Sequence, residues 1–185
     1  MPNHPFHNLR GEQKDQLLQL VDKRGNIIGT ATREECHKGK GKTHLAFLAF
    51  IFDNSGKVIL TKRSKQKSLW GNFWDASVVS HVLPTETVIQ AANRRGKEEL
   101  GVDVQFKDLG AFYYFIKHGE SAENEYCHVL VGKTHEYASA NPIEVSEIMH
   151  TSREKLKLLV EKNPEFYTPW LKIALFKFDS KLILK

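Results

Sequence analysis

The chain has 185 residues, of which 41% are hydrophobic and 26% charged, and this composition is typical of one soluble globular domain rather than a low-complexity protein. The formal net charge of +5 is compatible with an anionic small substrate and equally with ordinary surface composition, and no cluster of Lys and Arg interleaved with aromatic residues indicates nucleic acid. The two cysteines, Cys36 and Cys127, are too few for a secreted disulfide scaffold, so we expect both to be reduced.

The N-terminal segment MPNHPFHNLRGEQ is polar and contains no apolar signal core. No apolar run in the chain approaches the roughly 18 residues of a membrane-spanning helix. These features predict a cytoplasmic protein with no membrane partner. We expect residues 1–14 to form a loosely ordered arm and residues 15–180 to form the folded domain. The oligomeric state stays open, with a monomer favoured.

Strands and turns dominate the first half of the chain. Apolar and alternating segments predict strands at 17–22 and 27–32 around the turn KRGN, at 44–53, at 57–64 and at 74–80. The segment REECHKGKGKTH predicts a short helical piece followed by a loop rich in Gly and Lys.

The clearest helix covers residues 85–100, with Thr85 as its N-cap and Gly101 as its stop. Two longer strands are expected at 102–117 and 123–134, and helical segments at about 151–162 and 168–178. This mixture predicts a single α+β domain in which one mixed sheet is flanked by helices.

The end of the 85–100 helix carries an unusual concentration of carboxylates. Glu98 and Glu99 stand where the helix macrodipole favours cations. A solvated charged face with the i,i+4 pairs Arg94–Glu98 and Arg95–Glu99 explains them without any function.

The spacing of these residues also resembles the Nudix box, which reads Gly, five residues, Glu, seven residues, Arg-Glu, an aliphatic residue, any residue, Glu-Glu, any residue, Gly. The positions that correspond in spacing are Ser80, Glu86, Arg94, Glu98, Glu99 and Gly101. The residue type departs from the box at Ser80, which stands in place of Gly, and at Arg95 and Gly96. Arg95 in place of the box Glu resembles type I isopentenyl diphosphate isomerases, a non-hydrolytic branch of the Nudix superfamily. The resemblance implies a Nudix-type α/β/α sandwich.

The resemblance to the isomerases implies that three histidines and two glutamates hold one divalent ion: His37, His44, His81, Glu123 and Glu125. Each histidine taken alone is more typical of a structural or surface position. Glu123 and Glu125 are two residues apart on a predicted strand, so both face the same side. Three imidazoles and two carboxylates suit Mn²⁺ or Zn²⁺. Glu99 matches the isomerase ligand of a second ion, Mg²⁺.

The same resemblance implies groups for a small organic diphosphate. The positions that hold the diphosphate are Arg33, Arg63, Lys67 and Arg95, which in isolation are ordinary surface cations. Trp170 matches an indole placed over the allylic carbons, where its face stabilises a developing carbocation, although it is also a candidate core anchor for the C-terminal helix. Tyr114 matches a tyrosine beside the catalytic glutamate, Glu125.

One position departs from the isomerase pattern in a way that affects the chemistry. The isomerases use a glutamate on one face of the alkene and a cysteine on the other, and Val79 occupies the cysteine position. Valine has no titratable group for acid–base catalysis. Cys127 is expected on the face of Glu125, and Cys36 has no clear route to the pocket, so neither replaces the missing group.

Three hypotheses follow from this sequence. The favoured one is a divergent, metal-dependent Nudix enzyme that hydrolyses a prenyl-like diphosphate, with Glu98, Glu86 and Glu99 binding Mg²⁺ and activating water, although Arg95 opposes this. The alternatives are isopentenyl diphosphate isomerisation by an altered acid–base pair, and a catalytically inactive module that binds a diphosphate.

Overall fold

The computed structural model describes residue 11 and residues 13–182. Most of the expected arm, residues 1–10 and 12, lies outside the described part of the chain. Among the described residues, no helix has both the length and the apolar character needed to cross a membrane.

One nine-stranded sheet organises the described chain. Its strands are β1 Leu17–Val21, β2 Ile27–Thr32, β3 His44–Phe52, β4 Val58–Arg63, β5 Trp74–Asp75, β6 Val78–His81, β7 Lys107–His118, β8 Ser121–Lys133 and β9 Val145–Thr151. The α-helices are α1 Arg33–His37, α2 Val88–Leu100, α3 Arg153–Lys162 and α4 Pro169–Lys177, with 3-10 turns at Pro164–Phe166 and Asp179–Lys181.

Strand β3 is the centre of the sheet. β8 pairs with it in parallel along its whole length, from His44 opposite Glu125 to Phe52 opposite Lys133. β1, β6 and β4 pair with it antiparallel. β7 extends the sheet beyond β8, and β9 extends it beyond β4, both antiparallel. The expected α+β domain with a mixed sheet is therefore confirmed.

Both faces of β3 are buried, which explains why its sequence is a continuous apolar run rather than an alternating one. Leu48 and Phe50 point into a core that includes α3 and α4, through residues such as Leu171. Phe47 and Ala49 point into a second core against α2. The helices therefore cover the sheet on two sides, which gives the three-layer arrangement that the sequence predicts.

The structure corrects two of the expected element boundaries. Helix α2 begins at Val88, and its N-cap is Thr87 rather than Thr85, because Thr87 and Gln90 form a reciprocal capping box. The strand expected at 74–80 is interrupted after Asp75, where the buried Ser77 hydroxyl accepts from the Ile51 N–H at 2.7 Å and donates to the Ile59 carbonyl at 2.5 Å.

Two further strands differ from the expectation: one begins later than predicted, and one was not predicted. The strand expected from residue 102 begins only at Lys107. Strand β9 was not predicted. It precedes α3, whose N-cap Ser152 accepts a hydrogen bond from the Lys155 N–H.

The core on the α4 side of β3 yields a stability prediction. Phe50 is 1% exposed, so Phe50→Ala should lower the free energy of unfolding by about 3–5 kcal/mol in urea denaturation, because it removes buried apolar surface and leaves a cavity. Phe176 on α4 is 45% exposed, and Phe176→Ala is the matched control with an expected change within about 0.5 kcal/mol. Equal losses in the two variants would contradict this description of the core.

Candidate active site

Five candidate metal ligands from four segments converge on the α4-facing side of the sheet. His37 ends α1, His44 begins β3, and His81 ends β6. Glu123 and Glu125 lie on β8 with their side chains on the same side, as the strand period predicts. The ladders align these ligands, since His44 pairs with Glu125 and His81 pairs with Ala46, two residues from His44.

The three imidazoles form a nearly equilateral triangle, with ring centroids 4.9, 5.0 and 4.9 Å apart. Glu123 Oε2 lies 3.1 Å from His37 Nε2, while Glu125 Oε1 lies 3.4 Å from His44 Nε2 and 3.1 Å from His81 Nε2. One ligand atom from each of the five side chains lies within 4.8 Å of all the others. Two ligands on opposite sides of an ion at about 2.1 Å would be roughly 4.2 Å apart, so a small contraction would complete a coordination shell.

Two of the imidazoles are oriented by backbone carbonyls. His37 Nδ1 lies 2.7 Å from the Arg33 carbonyl oxygen, and His44 Nδ1 lies 2.8 Å from the Lys42 carbonyl oxygen. Because a carbonyl only accepts, each Nδ1 carries the proton and each Nε2 presents a lone pair to the cluster. His81 Nδ1 instead contacts the Arg33 guanidinium at 2.7 Å.

The cluster fits a divalent cation because its buried polar atoms have few other partners. His37 Nε2, His44 Nε2 and Glu123 Oε2 are buried, and beyond the contacts among the five side chains themselves they have no hydrogen-bond partner. All five side chains belong to buried residues, and burying two carboxylates among neutral imidazoles is costly unless a cation compensates them. Three nitrogen and two oxygen donors suit Mn²⁺ or Zn²⁺ better than Mg²⁺.

Protonation in the cluster follows from burial and close neighbours. Burial, with repulsion from His37, lowers the pKa of His44 to about 4, so its imidazole is neutral near pH 7. Burial opposes the ionised form of Glu123, but His37 outweighs it and lowers the pKa of that carboxyl to about 2. Burial and the charge of Glu123 raise the pKa of Glu125, which therefore holds a proton more readily than its neighbour.

Tyr114 is the direct partner of Glu125. Its hydroxyl donates to Glu125 Oε2 at 2.5 Å, and the two residues face each other across the β7–β8 ladder. Burial and the charge of Glu125 raise the pKa of Tyr114 well above its usual value, so the phenol stays protonated. The pair can therefore hold and pass a proton at the edge of the cluster.

A pocket opens directly beside Tyr114 and Glu125. Arg33, Arg63 and Lys67 supply cationic groups to its lining, and Trp170 supplies an aromatic group. Val79, a half-buried residue of β6, also lines it. The structure thus brings eight of the sequence-predicted site residues together with the position of the missing cysteine, including His81, Glu123 and Glu125.

Five predicted residues are not among the residues that line this pocket in the described chain: His37, His44, Arg95, Glu98 and Glu99. Arg95 is 3% exposed and contacts Glu98 at 2.7 Å and Glu99 at 2.7 Å, which confirms the expected Arg95–Glu99 pair. It also contacts Glu144, from the loop before β9, at 3.0 Å. Glu144 in turn pairs with Lys67 of the pocket lining, so one carboxylate links the two groups of cations.

Two carboxylates of the site were missed by sequence reasoning. Glu144 lies in a loop without a recognisable motif, and nothing in the sequence signals its role. Asp75 is 1% exposed and contacts both Arg63 and Trp170. The signal available for Asp75 was that it is the single charged residue in the strand predicted at 74–80. Neither Cys36 nor Cys127 lines the pocket; burial raises the pKa of Cys36 to about 12 and that of Cys127 well above its usual value.

Comparison with known protein families agrees with this geometry. The Nudix domain matches residues 42–171, which is more than half of the chain. The chain belongs to the Nudix family. A curated relative named isopentenyl-diphosphate Delta-isomerase 2, from Photorhabdus laumondii, is 37% identical over 159 residues, covering 85% of this chain and 89% of the relative. An isopentenyl-diphosphate Delta-isomerase from Haloarcula marismortui is 34% identical over 181 residues, covering 92% and 95%.

Solved structures share the Nudix fold at lower identity. DR0079 from Deinococcus radiodurans superposes with a TM-score of 0.72 at 22% identity, covering 88% of this chain and 98% of that one. A MutT protein from Methanosarcina mazei superposes with a TM-score of 0.63 at 19% identity, covering 75% and 94%. At these identities the likeness establishes the fold of the chain.

The cluster yields a prediction about metal binding. Mn²⁺ or Zn²⁺ should raise the melting temperature in a thermal-shift assay, since a ligand at about 100 times its dissociation constant stabilises the folded state by about 2.7 kcal/mol. His44→Ala should abolish the increase, and EDTA should reverse it. His128→Ala, which alters a histidine paired with Asp108 outside the cluster, is the control and should keep the increase. An unchanged response in His44→Ala would contradict this site.

The metal-induced increase should shrink as the pH falls from about 7.5 to about 5.5, because protons compete with the ion for the imidazoles. Burial lowers the pKa of His37, but Glu123 outweighs it and the net shift is upward. His37 therefore becomes protonated at a higher pH than an ordinary histidine, and affinity should fall as the pH approaches that raised pKa. Thermal shifts measured across this pH range, with the metal-free protein at each pH as reference, test whether the metal-induced increase in melting temperature shrinks as the pH falls.

Proposed function

We propose that this protein is a metal-dependent enzyme that acts on a small, prenyl-like organic diphosphate by moving a proton at carbon, as isopentenyl diphosphate isomerases do. The observation that carries the proposal is the buried Tyr114–Glu125 pair, which faces a pocket lined by cations and an indole. The relatives named isopentenyl-diphosphate Delta-isomerase support isomerisation over the hydrolysis that the sequence alone favoured.

The pocket offers complementary groups for the two ends of such a substrate. Arg33, Arg63 and Lys67 would bind the diphosphate, with the arginines suited to forked contacts and the lysine to a point-charge contact. Trp170 would face the hydrocarbon end, where an indole stabilises positive charge that develops on carbon. Glu99 remains the candidate ligand for a Mg²⁺ that would accompany the diphosphate.

The acid–base work falls to Glu125 and Tyr114. Burial and the charge of Glu123 raise the pKa of Glu125, so its carboxyl would carry the proton that is delivered to an alkene carbon on its side of the pocket. Tyr114 stays protonated and would stabilise the carboxylate that remains through its hydrogen bond. A divalent ion held by His37, His44, His81, Glu123 and Glu125 would supply a fixed positive charge that favours the carboxylate form of Glu125.

The second proton of an isomerisation has no dedicated acceptor at position 79. The Val79 side chain lines the pocket and has no atom that exchanges protons. The proton lost from the substrate must therefore pass to water or to the Glu125 side. We expect turnover to be slow for this reason.

Hydrolysis is the second candidate, because Glu98 and Glu99 lie together at the end of α2. Arg95 weighs against it. Its guanidinium pairs with both Glu98 and Glu99, so these two carboxylates are not jointly available for the cation that hydrolysis would require, whereas a Mg²⁺ held mainly by a substrate diphosphate would need only Glu99.

The proposal is tested by following isopentenyl diphosphate with the protein in D₂O, in the presence of Mg²⁺ and Mn²⁺. We expect slow appearance of dimethylallyl diphosphate carrying deuterium in the proton and carbon NMR spectra, with no phosphate release in the phosphorus spectrum. Phosphate release without isomerisation would identify a hydrolase. Binding with neither reaction would identify an inactive diphosphate-binding module.

Val79→Cys should raise the isomerisation rate by roughly 10²–10⁴-fold, because it restores a proton-exchanging group opposite Glu125. Val78→Cys is the matched control. Val78 points into the α2-side core, away from the pocket, so its thiol should leave the rate unchanged. The same NMR assay compares both variants, and equal rates would show that position 79 does not limit the reaction.

A further inference from the structure

Asp75 is a buried carboxylate on which two elements of the pocket converge. Four groups donate hydrogen bonds to it: the Trp170 indole N–H at 2.9 and 3.1 Å to its two oxygens, the Thr168 hydroxyl at 2.8 Å, the Ala76 N–H at 2.9 Å and Arg63 Nη1 at 3.1 Å. Asp75 is 1% exposed and does not itself line the pocket. Burial raises the pKa of this carboxyl, and Arg63 opposes that rise.

The bond to Asp75 determines the orientation of the Trp170 indole. The Nε1–H is directed between the two carboxylate oxygens, so rotation about the side-chain torsions would break a charge-assisted hydrogen bond. Trp70 packs edge-on at 4.9 Å, and the Tyr114 ring lies 6.1 Å away at an interplanar angle of 32°. A carboxylate on the N–H also polarises the indole and makes its face more electron-rich, which strengthens attraction to a cation.

Asp75 orients Arg63 as well. While Nη1 contacts Asp75, Nε and Nη2 donate to the Leu69 carbonyl at 3.3 and 3.1 Å. The guanidinium carbon lies 5.4 Å from the centre of the Trp170 ring. One carboxylate thus holds a cationic residue and an aromatic residue of the pocket in a common arrangement.

We propose that Asp75 is a positioning residue that orients the Trp170 indole and the Arg63 guanidinium in the pocket, and thereby raises the rate of the reaction. This inference rests on the proposed function for its effect on rate, and on the Asp75 contacts alone for its effect on orientation. A purely structural role is the alternative, since Thr168 precedes α4 and its bond to Asp75 anchors that helix.

The orientation is tested without any substrate. The Trp170 indole N–H signal, assigned by its loss in Trp170→Phe, should lie downfield in the proton–nitrogen NMR spectrum because a carboxylate accepts the bond. Asp75→Asn should move it upfield and speed its exchange with D₂O. Asp75→Asn is preferred to Asp75→Ala because it preserves side-chain volume, so the fold is retained. An unmoved signal would overturn the proposal.

The control for general destabilisation is Thr61→Val. Thr61 pairs with Asp75 across β4 and β5, and its buried hydroxyl donates to the Ala76 carbonyl at 2.8 Å. This variant loses a buried hydrogen bond beside Asp75 but touches neither Arg63 nor Trp170. Its indole signal and its turnover should match those of the wild-type protein, and a variant with lost turnover would favour the structural alternative.

The effect on rate is tested by kinetics and by inorganic pyrophosphate binding. Asp75→Asn should lower kcat by about 10–100-fold, the scale expected for a misplaced group, whereas the pyrophosphate Kd should weaken by no more than about 3-fold because Arg63 retains its charge. In the double variant with Trp170→Phe, kcat should fall by less than the two single losses combined, since Asp75 acts partly through Trp170. Additive losses, or equal losses in kcat and affinity, would overturn the role in rate.

These measurements separate the two proposals. Wild-type protein that binds pyrophosphate but converts no substrate would overturn the proposed function and the role of Asp75 in rate. The indole signal would still decide whether Asp75 orients Trp170.

Discussion

The parallel pairing of β3 with β8 is the constraint on which the site depends. It sets His44 directly opposite Glu125, and the antiparallel neighbours of these two strands then place Tyr114 opposite Glu125 and His81 opposite Ala46, two residues from His44. A shift of one residue in either ladder would turn the affected side chains to the other face of the sheet. Such a shift of β8 would turn the Glu123 and Glu125 carboxylates away from the histidines and into the apolar core on the α2 side, which is costly, so the observed register is favoured.

Buried charge is balanced by neighbouring groups throughout the site. The glutamates of the cluster face three imidazoles, Asp75 faces Arg63, and Glu144 faces Lys67 and Arg95. Desolvating a charge without a partner is costly, so these pairings allow a polar pocket to exist beside an apolar core. In the cluster of three histidines and two glutamates, imidazoles compensate the carboxylates less than a cation does, so a divalent ion would complete the charge balance.

Trp170 belongs both to the apolar core and to the lining of the pocket. It is 2% exposed and packs in the core with Leu171 and Ala174, as a core anchor would. Its indole also lines the pocket. The two roles are compatible because Asp75 binds the N–H edge of the ring and leaves a face for the pocket.

Local sequence patterns were sufficient to predict much of the fold and many of the candidate site residues of this protein. The types and spacing of the candidate ligands, the common side of Glu123 and Glu125, the pairs at the end of α2 and the mixed α+β architecture all follow from short stretches of sequence, since residue chemistry and strand or helix periods are local properties. The convergence of four segments on one cluster could be inferred from sequence only through resemblance to a family.

The tertiary structure alone decided the features that depend on distant partners. Strand β9 exists because β4 offers it an edge, and the break after Asp75 exists because the Ser77 hydroxyl reaches the backbones of β3 and β4. Glu144 becomes part of the site only because the fold brings Lys67 and Arg95 next to it. Asp75 does so only because the fold brings Arg63 and Trp170 next to it. Such contacts join residues up to 95 positions apart, and no local pattern encodes them because their energy arises from burial that the whole fold creates.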